Sequence, residues 1–445
     1  MTVGMPTNPM TTEHLNEPPD DTSQVAAVAN RPSSLALRVS RYIGLGLISG
    51  LLAGVASTVF LELLDRATSF RLSHGLTIYL LPLAGALVGL AYQHLGGRAA
   101  RGNQLLLEQI HEPTEWIPRR MAPLVLVATL VSHLVGASVG REGTAIQMSG
   151  SLSDWFARLV KLGPNERKLI LIAAIAGGFG SVFGVPIAGA IFAIEVQSLR
   201  KFRFDAGLAA FVAAYSGDAV ARVLGARHPV RAPWSLELGA ANLAKVALAG
   251  AVCGLVSMTF IGAVHAVKCA AAHVKLPAMR PVIGGLVTLG GVAVVGRDYL
   301  GLSLGLIDRG LAGEHVAVGT PALKLAFTAV ALGSGFVGGE VTPLFVIGTT
   351  LGAVLAPALG LPIPVLAGIG FVAVFAGATN TPLACTAMGI ELFGTTAAVP
   401  LALGCLCAYV FSSHRTIYSP HGVNQTPVGE SGKQGDDVLD QQHRE

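Results

Sequence analysis

Two glutamate-bearing motifs each occur twice in this chain, at nearly the same spacing. Val139-Gly140-Arg141-Glu142-Gly143-Thr144 returns as Val337-Gly338-Gly339-Glu340-Val341-Thr342, with the glutamates 198 positions apart (340 − 142). FGVPIAGAIFAIE, ending at Glu195, returns as ATNTPLACTAMGIE, ending at Glu391. Pro186 and Pro382 are 196 apart, as are these two glutamates (382 − 186, 391 − 195). Two motifs do not recur together by accident, so the chain is built of two halves of about 190 residues with a site between them, the pattern of transporter folds. Spacing alone leaves open whether the halves run parallel or inverted.

The halves are not soluble domains. Of 445 residues 52% are hydrophobic and 13% charged, against about 25% charged in a soluble domain. Water would not disperse so apolar a surface, whereas a bilayer would. Apolar segments follow one another near 42–64, 76–95, 121–139, 168–182, 186–199, 206–224, 242–268, 280–296, 321–335, 343–358, 364–376, 382–393 and 398–412. Many fall short of the roughly 20 residues that cross a bilayer squarely, which predicts tilted, broken or re-entrant helices packed against protein. The 55 glycines suit close backbone approach and helix breaks.

Residues 1–36 and 419–445 read as polar tails, with transmembrane repeats over 37–230 and 231–418. Arg31, Arg38 and Arg41 precede the first apolar run and place the amino terminus in the cytoplasm. A net charge of +4, with basic residues at segment ends, argues against nucleic acid as a partner. The five cysteines sit in apolar stretches without metal-ligand spacing and read as packing residues, so no cofactor or metal is expected.

In GASVGREGTAIQ, Glu142 is flanked by glycines and opens a helical run. It therefore sits among free backbone N–H groups at the positive end of a helix dipole, where an anion or a carboxylate can bind. An ionisable residue at membrane depth marks function, and protonating Glu142 would both open the site and carry a proton. Gly338-Gly339-Glu340-Val341-Thr342-Pro343 offers a second helix start of this kind, with Glu340 as a second titratable group. Gly102-Asn103-Gln104-Leu105 is a weaker glycine motif, and an ordinary turn would account for it.

GREGTAIQ resembles the GREGP-x-x-Q element of the CLC family of chloride channels and anion/proton antiporters. GGEVTPLFVIG resembles its G-x-F-x-P element, FGVPIAGAIFAIE the stretch leading to its inner proton-transfer region, and Ile417-Tyr418 its pore tyrosine. The resemblance covers about residues 40–420. It implies an all-α polytopic membrane protein of two inverted-topology repeats, assembled as a homodimer with one pore per subunit.

The departures narrow the resemblance. Asn103 stands where the family has a chloride-coordinating serine, and Thr144 where it has a proline. Glu340 and Thr342 replace apolar residues, and Val196 occupies the place of the inner proton glutamate. These are similar to the fluoride-exporting CLC-F branch of fluoride/proton antiporters. The chemistry agrees: fluoride sheds water only for dense, strong donors, and an asparagine amide offers two N–H groups where a serine offers one hydroxyl.

The reading is a fluoride/proton antiporter of a bacterial inner membrane. Glu142, Glu340 and Thr342 would handle gating and protons, while Gly102, Asn103, Gly143, Val341 and Tyr418 would hold the anion. A chloride-selective exchanger or channel is the first alternative. An intramembrane enzyme is the second, though no His-x-x-x-His, Ser/His pair or paired aspartates on facing spans supports it. Glu195 and Glu391 read as backbone-satisfying groups or cytoplasmic-mouth residues, His133 as a packing histidine, and Asp65-Arg66 and Arg200-Lys201-Arg203 as interfacial anchors.

Overall fold

The structure, a computed structural model, describes residues 1–2, 32–197, 206–228, 231–413 and 416–418. The Arg200-Lys201-Arg203 cluster and the 419–445 segment lie outside these residues. Residues 1–41 cluster as one unit and residues 42–445 as another. The first helix begins at Pro32, inside the segment expected to be a polar tail.

Every regular element among the described residues is helical, and the order repeats. In the first half α1 spans Pro32–Ser73, α2 Leu81–Ala91, α3 Asn103–His111, α4 Met121–Leu134, α5 Glu142–Leu159, α6 Pro164–Phe183, α7 Pro186–Glu195 and α8 Gly207–Val223. In the second, α9 spans Ala240–Ala272, α10 Met279–Val295, α11 Leu304–Leu311, α12 Thr320–Ser334, α13 Val341–Leu359, α14 Ile363–Thr379, α15 Pro382–Phe393 and α16 Ala398–Phe411. The starts of α4, α5 and α6 return 199 residues later as those of α12, α13 and α14 (320 − 121, 341 − 142, 363 − 164).

The halves meet at their own equivalent residues. Gly140 N donates to Gly339 O at 2.6 Å and Gly339 N to Gly140 O at 2.8 Å, an isolated antiparallel bridge. A bridge between equivalent residues is symmetric under a half-turn, so chain directions reverse from one half to the other. The repeats are inverted. Equivalent helices also pack on each other, α2 on α10 and α7 on α15.

Helix length assigns the layers. Leu35–Ser73, Gly75–His111, Ala240–Ala272 and Val341–Leu359 are helical stretches long and apolar enough to cross a membrane. On α1, Leu47, Leu51, Val55 and Val59 are exposed; their spacing of four makes one apolar stripe, which fits lipid. α6 and α14 are buried over most of their length and form the centre. There α13 and α14 touch backbone to backbone: a Cβ on Gly348 would lie 2.0 Å from Gly370 O, so only glycine permits this packing.

Candidate functional site

The inverted bridge brings two helix N-termini together. Glu142 is the first residue of α5 and Val341 the first of α13, and both helices point free amides toward the junction. The Glu142 carboxylate fills it with no exposure to solvent. Its Oε2 accepts from Arg141 N at 3.1 Å and Thr342 N at 3.1 Å, and its Oε1 accepts from Thr342 Oγ1. The Arg141 Nε lies 3.7 Å from Oε1. A carboxylate from one repeat is thus held by a helix start of the other.

Glycine makes the junction possible. A Cβ on Gly339 would sit 2.8 Å from Gly143 N and 3.0 Å from Glu142 N, over the amides of α5. Behind them, Thr144 and Thr129 share a hydroxyl hydrogen bond of 2.7 Å, tying the start of α5 to α4. The proline of the family pattern could not make that link.

The motif alignment slips by one residue here. Pairing the glutamates gives an offset of 198, but the bridge and the helix starts give 199. Glu340 therefore occupies the place of Arg141, and Val341 that of Glu142. On a helix, one residue turns a side chain by about 100°, so the two glutamates do not enter one site in the same way. Glu340 precedes α13, is half-buried, and feels the charges of Lys268 and Glu142.

On another side of α5, Asn103 opens α3 after Gly102, whose φ of 55° is the left-handed region suited to glycine. A Cβ on Gly143 would lie 3.1 Å from Asn103 Nδ2, so glycine leaves the amide room. Asn103, Leu107, Ile146, Phe192, Val196 and Tyr418 line a narrow cavity. Two buried polar atoms of its wall, Asn103 Oδ1 and Tyr418 Oη, have no hydrogen-bond partner among the described residues, and such atoms cost free energy unless a ligand or water meets them. Tyr418 reaches this place because Ile417 N donates to Ala378 O at 3.0 Å, at the end of α14.

Sequence reasoning missed two parts of this site. Gln147 sits within 3.2 Å of a Cβ placed on Gly102 and is the Q of GREGTAIQ, a signal present but unused. The aromatic floor carries no local signal. Phe192 stacks on Phe179 at 4.5 Å, Phe345 on Phe371 at 4.1 Å, and Tyr418 presents its edge to Phe192 at 6.3 Å. Glu195 and Glu391 are satisfied by backbone in the structure: Glu195 accepts from Leu383 N and Ala384 N at 3.1 and 2.8 Å, and Glu391 from Ile187 N and Ala188 N at 2.9 and 2.8 Å.

Known proteins share this fold. A crystal structure of a CLC-type fluoride/proton antiporter superposes with a TM-score of 0.82 at 33% identity, covering 87% of this chain and 98% of that one. The structure of a slow cyanobacterial Cl⁻/H⁺ antiporter does so with a TM-score of 0.73 at 19% identity, which carries the fold alone. A chloride/fluoride channel protein of Pseudomonas syringae pv. tomato is 41% identical over 423 residues, covering 89% of this chain and 90% of its own. The pattern of the family described as voltage gated chloride channel matches residues 84–413. With the inverted repeats and the glutamate at their junction, these matches establish that the chain belongs to the CLC family of chloride and fluoride transporters.

Proposed function

We propose that this protein exports fluoride across the bacterial inner membrane in exchange for protons, with Glu142 as the protonatable gate. One observation carries the reading: a fully buried carboxylate occupies the donors of two converging helix N-termini. Ionised, it competes with the anion for those amides. Protonated, it loses most of its hold on them, and the anion passes as the proton is carried. Gly143 and Val341 leave their amides at the junction, while Gly102 lets Asn103 open α3 toward the cavity. A half-turn of the Asn103 amide would present its N–H₂ to an anion beside Tyr418 Oη. Glu340 would be a second proton stop, and Thr342 the donor that holds Glu142 shut.

Fluoride as the cargo is supported by Asn103 in the serine position and by likeness to the fluoride/proton antiporter above. The same kinship supports an inner-membrane location and a homodimer, with lipid and a second copy as partners.

The test is anion efflux from proteoliposomes of purified protein, comparing fluoride with chloride while following pH. Fluoride-selective efflux with coupled proton uptake is expected, and Glu142→Gln should abolish the coupling. Equal efflux of chloride would transfer the protein to the chloride-selective reading. Fluoride efflux without proton movement would make it a channel.

A further inference from the structure

A second cluster of charge meets the gate through Arg141, whose amide and guanidinium both face the Glu142 carboxylate. Arg71 is in the last turn of α1, His133 in the last turn of α4, and Arg141 immediately precedes α5. Arg71, Lys324 and Arg141 all act electrostatically on His133. The backbone draws them together: Gly301 N donates to Gly136 O at 3.1 Å, a Cβ on Gly301 would lie 3.2 Å from Arg71 Nη2, and Lys324 Nζ donates to Gly301 O at 2.8 Å.

Among the described residues, Arg141 alone in the cluster has an acidic partner. Lys324 is fully buried, and its partners Ser138 Oγ, Tyr299 O, Gly301 O and Ser303 Oγ are neutral. Among the described residues, neither Arg71 nor Lys324 makes an ion pair, and Arg141 pairs with Glu142 alone. Arginine does not shed its proton to escape burial. Three atoms of these side chains are buried without a hydrogen-bond partner among the described residues: Arg71 Nε, His133 Nε2 and Arg141 Nε, the last 3.7 Å from Glu142 Oε1. His133 is 1% exposed. Its Nδ1 lies 2.9 Å from Thr129 O and must donate there, which leaves Nε2 as a bare lone pair among cations. Buried cations that lack a counter-ion are costly, and a mobile anion would supply one. That anion would in turn favour a proton on Nε2, which could then donate to it.

We infer that Arg71, His133 and Arg141, backed by Lys324, form a second anion site, into which a small monovalent anion binds together with a proton on His133 Nε2. With the amino terminus in the cytoplasm, the ends of α1 and α4 place this site on the external side of the gate. The identity of the anion rests on the transport reading above, but the site does not depend on exchange.

The test adds sodium fluoride to purified full-length protein in weakly buffered detergent solution and records fluoride binding and proton uptake together. Glu142→Gln, whose gate cannot take a proton, serves as the background and should take up protons as fluoride binds, to about one per chain. His133→Asn keeps an N–H for Thr129 O and removes Nε2; it should abolish that uptake while the protein elutes unchanged. Arg71→Met should weaken fluoride binding about tenfold or more, as loss of a charged donor does, and gives a second reading should His133→Asn fail to fold. The wild type, whose gate can also be protonated, should take up no fewer protons than this background. Uptake unchanged in His133→Asn would reduce His133 to packing and overturn the site. Uptake lost in Glu142→Gln but kept in His133→Asn would assign the proton to the gate and overturn it equally. Loss of proton-coupled flux with the uptake intact would sink the exchange reading and leave the site standing.

Discussion

At the scale of single residues, Thr342 touches the Glu142 carboxylate twice, through its amide and its hydroxyl, and on the proposed reading it would set the balance of the gate. The hydroxyl bond is to a charged acceptor and is worth about 1.5–3 kcal/mol. Thr342→Val removes it and keeps the amide, so the closed gate is held less firmly. Fluoride flux at a fixed pH should then rise about tenfold, the equivalent of about 1.4 kcal/mol, whereas Thr342→Ser should match wild type. An unchanged flux would mean that the bond does not hold the gate. Asn103 is argued on selectivity instead. Its buried Oδ1 and the Tyr418 hydroxyl both lack a partner among the described residues, and a half-turn of the amide would set its N–H₂ toward an anion in the cavity. Asn103→Ser replaces two N–H donors with one hydroxyl, and the ratio of fluoride to chloride flux should fall about tenfold. A constant ratio would move selectivity elsewhere.

Between elements, the helices α7 and α15 cap each other. Glu195, the last residue of α7, accepts from the first amides of α15, and Glu391 on α15 accepts from the first amides of α7. Each helix opens with proline, which contributes no donor, so two amides per helix are what remain to be met. Glu391→Ala would orphan two of them at about 1 kcal/mol each, and the melting temperature of the purified protein should fall by about 2 °C in a chain this long, with fluoride selectivity unchanged. A stable variant would show that water replaces the cap. The repeat of Glu195 and Glu391 was legible in the sequence, but the crossing of the caps was not, because inversion cannot be read from spacing. Similarly, Glu142 was legible as a helix-start glutamate, since glycine and charge in an apolar run mark it locally. The one-residue register of Glu340 was not, because Gly338-Gly339 lets the motif align either way. The short helices α3 and α11 escaped the hydropathy pattern, and α5 hides its polar face, including Ser149, Ser153 and Asp154, inside the protein.

For the whole molecule, helix length argues for a second copy. α8, α7, α15 and α16 pack side by side in that order and expose Phe211, Tyr215, Leu383, Val399 and Leu406. α7 has 10 residues and α15 has 12, about 15 and 18 Å long at 1.5 Å per residue, against a hydrocarbon core of about 30 Å. Long helices such as α1 and α9 can face lipid because their ends reach its polar borders. The ends of α7 and α15 cannot, and unpaired backbone at that depth must be covered by protein. The apolar face of these four helices is therefore expected to lie on its counterpart in a second copy, the two-fold arrangement that homodimers favour. Phe211→Arg combined with Leu383→Arg would set like charges across such a face. Chemical cross-linking in native membranes should then shift from two chains to one, while fluoride flux persists because Glu142, Asn103 and Tyr418 lie within a single chain. A variant that still cross-links as a pair would return this face to lipid. A single chain without flux would mean that the pore needs its partner.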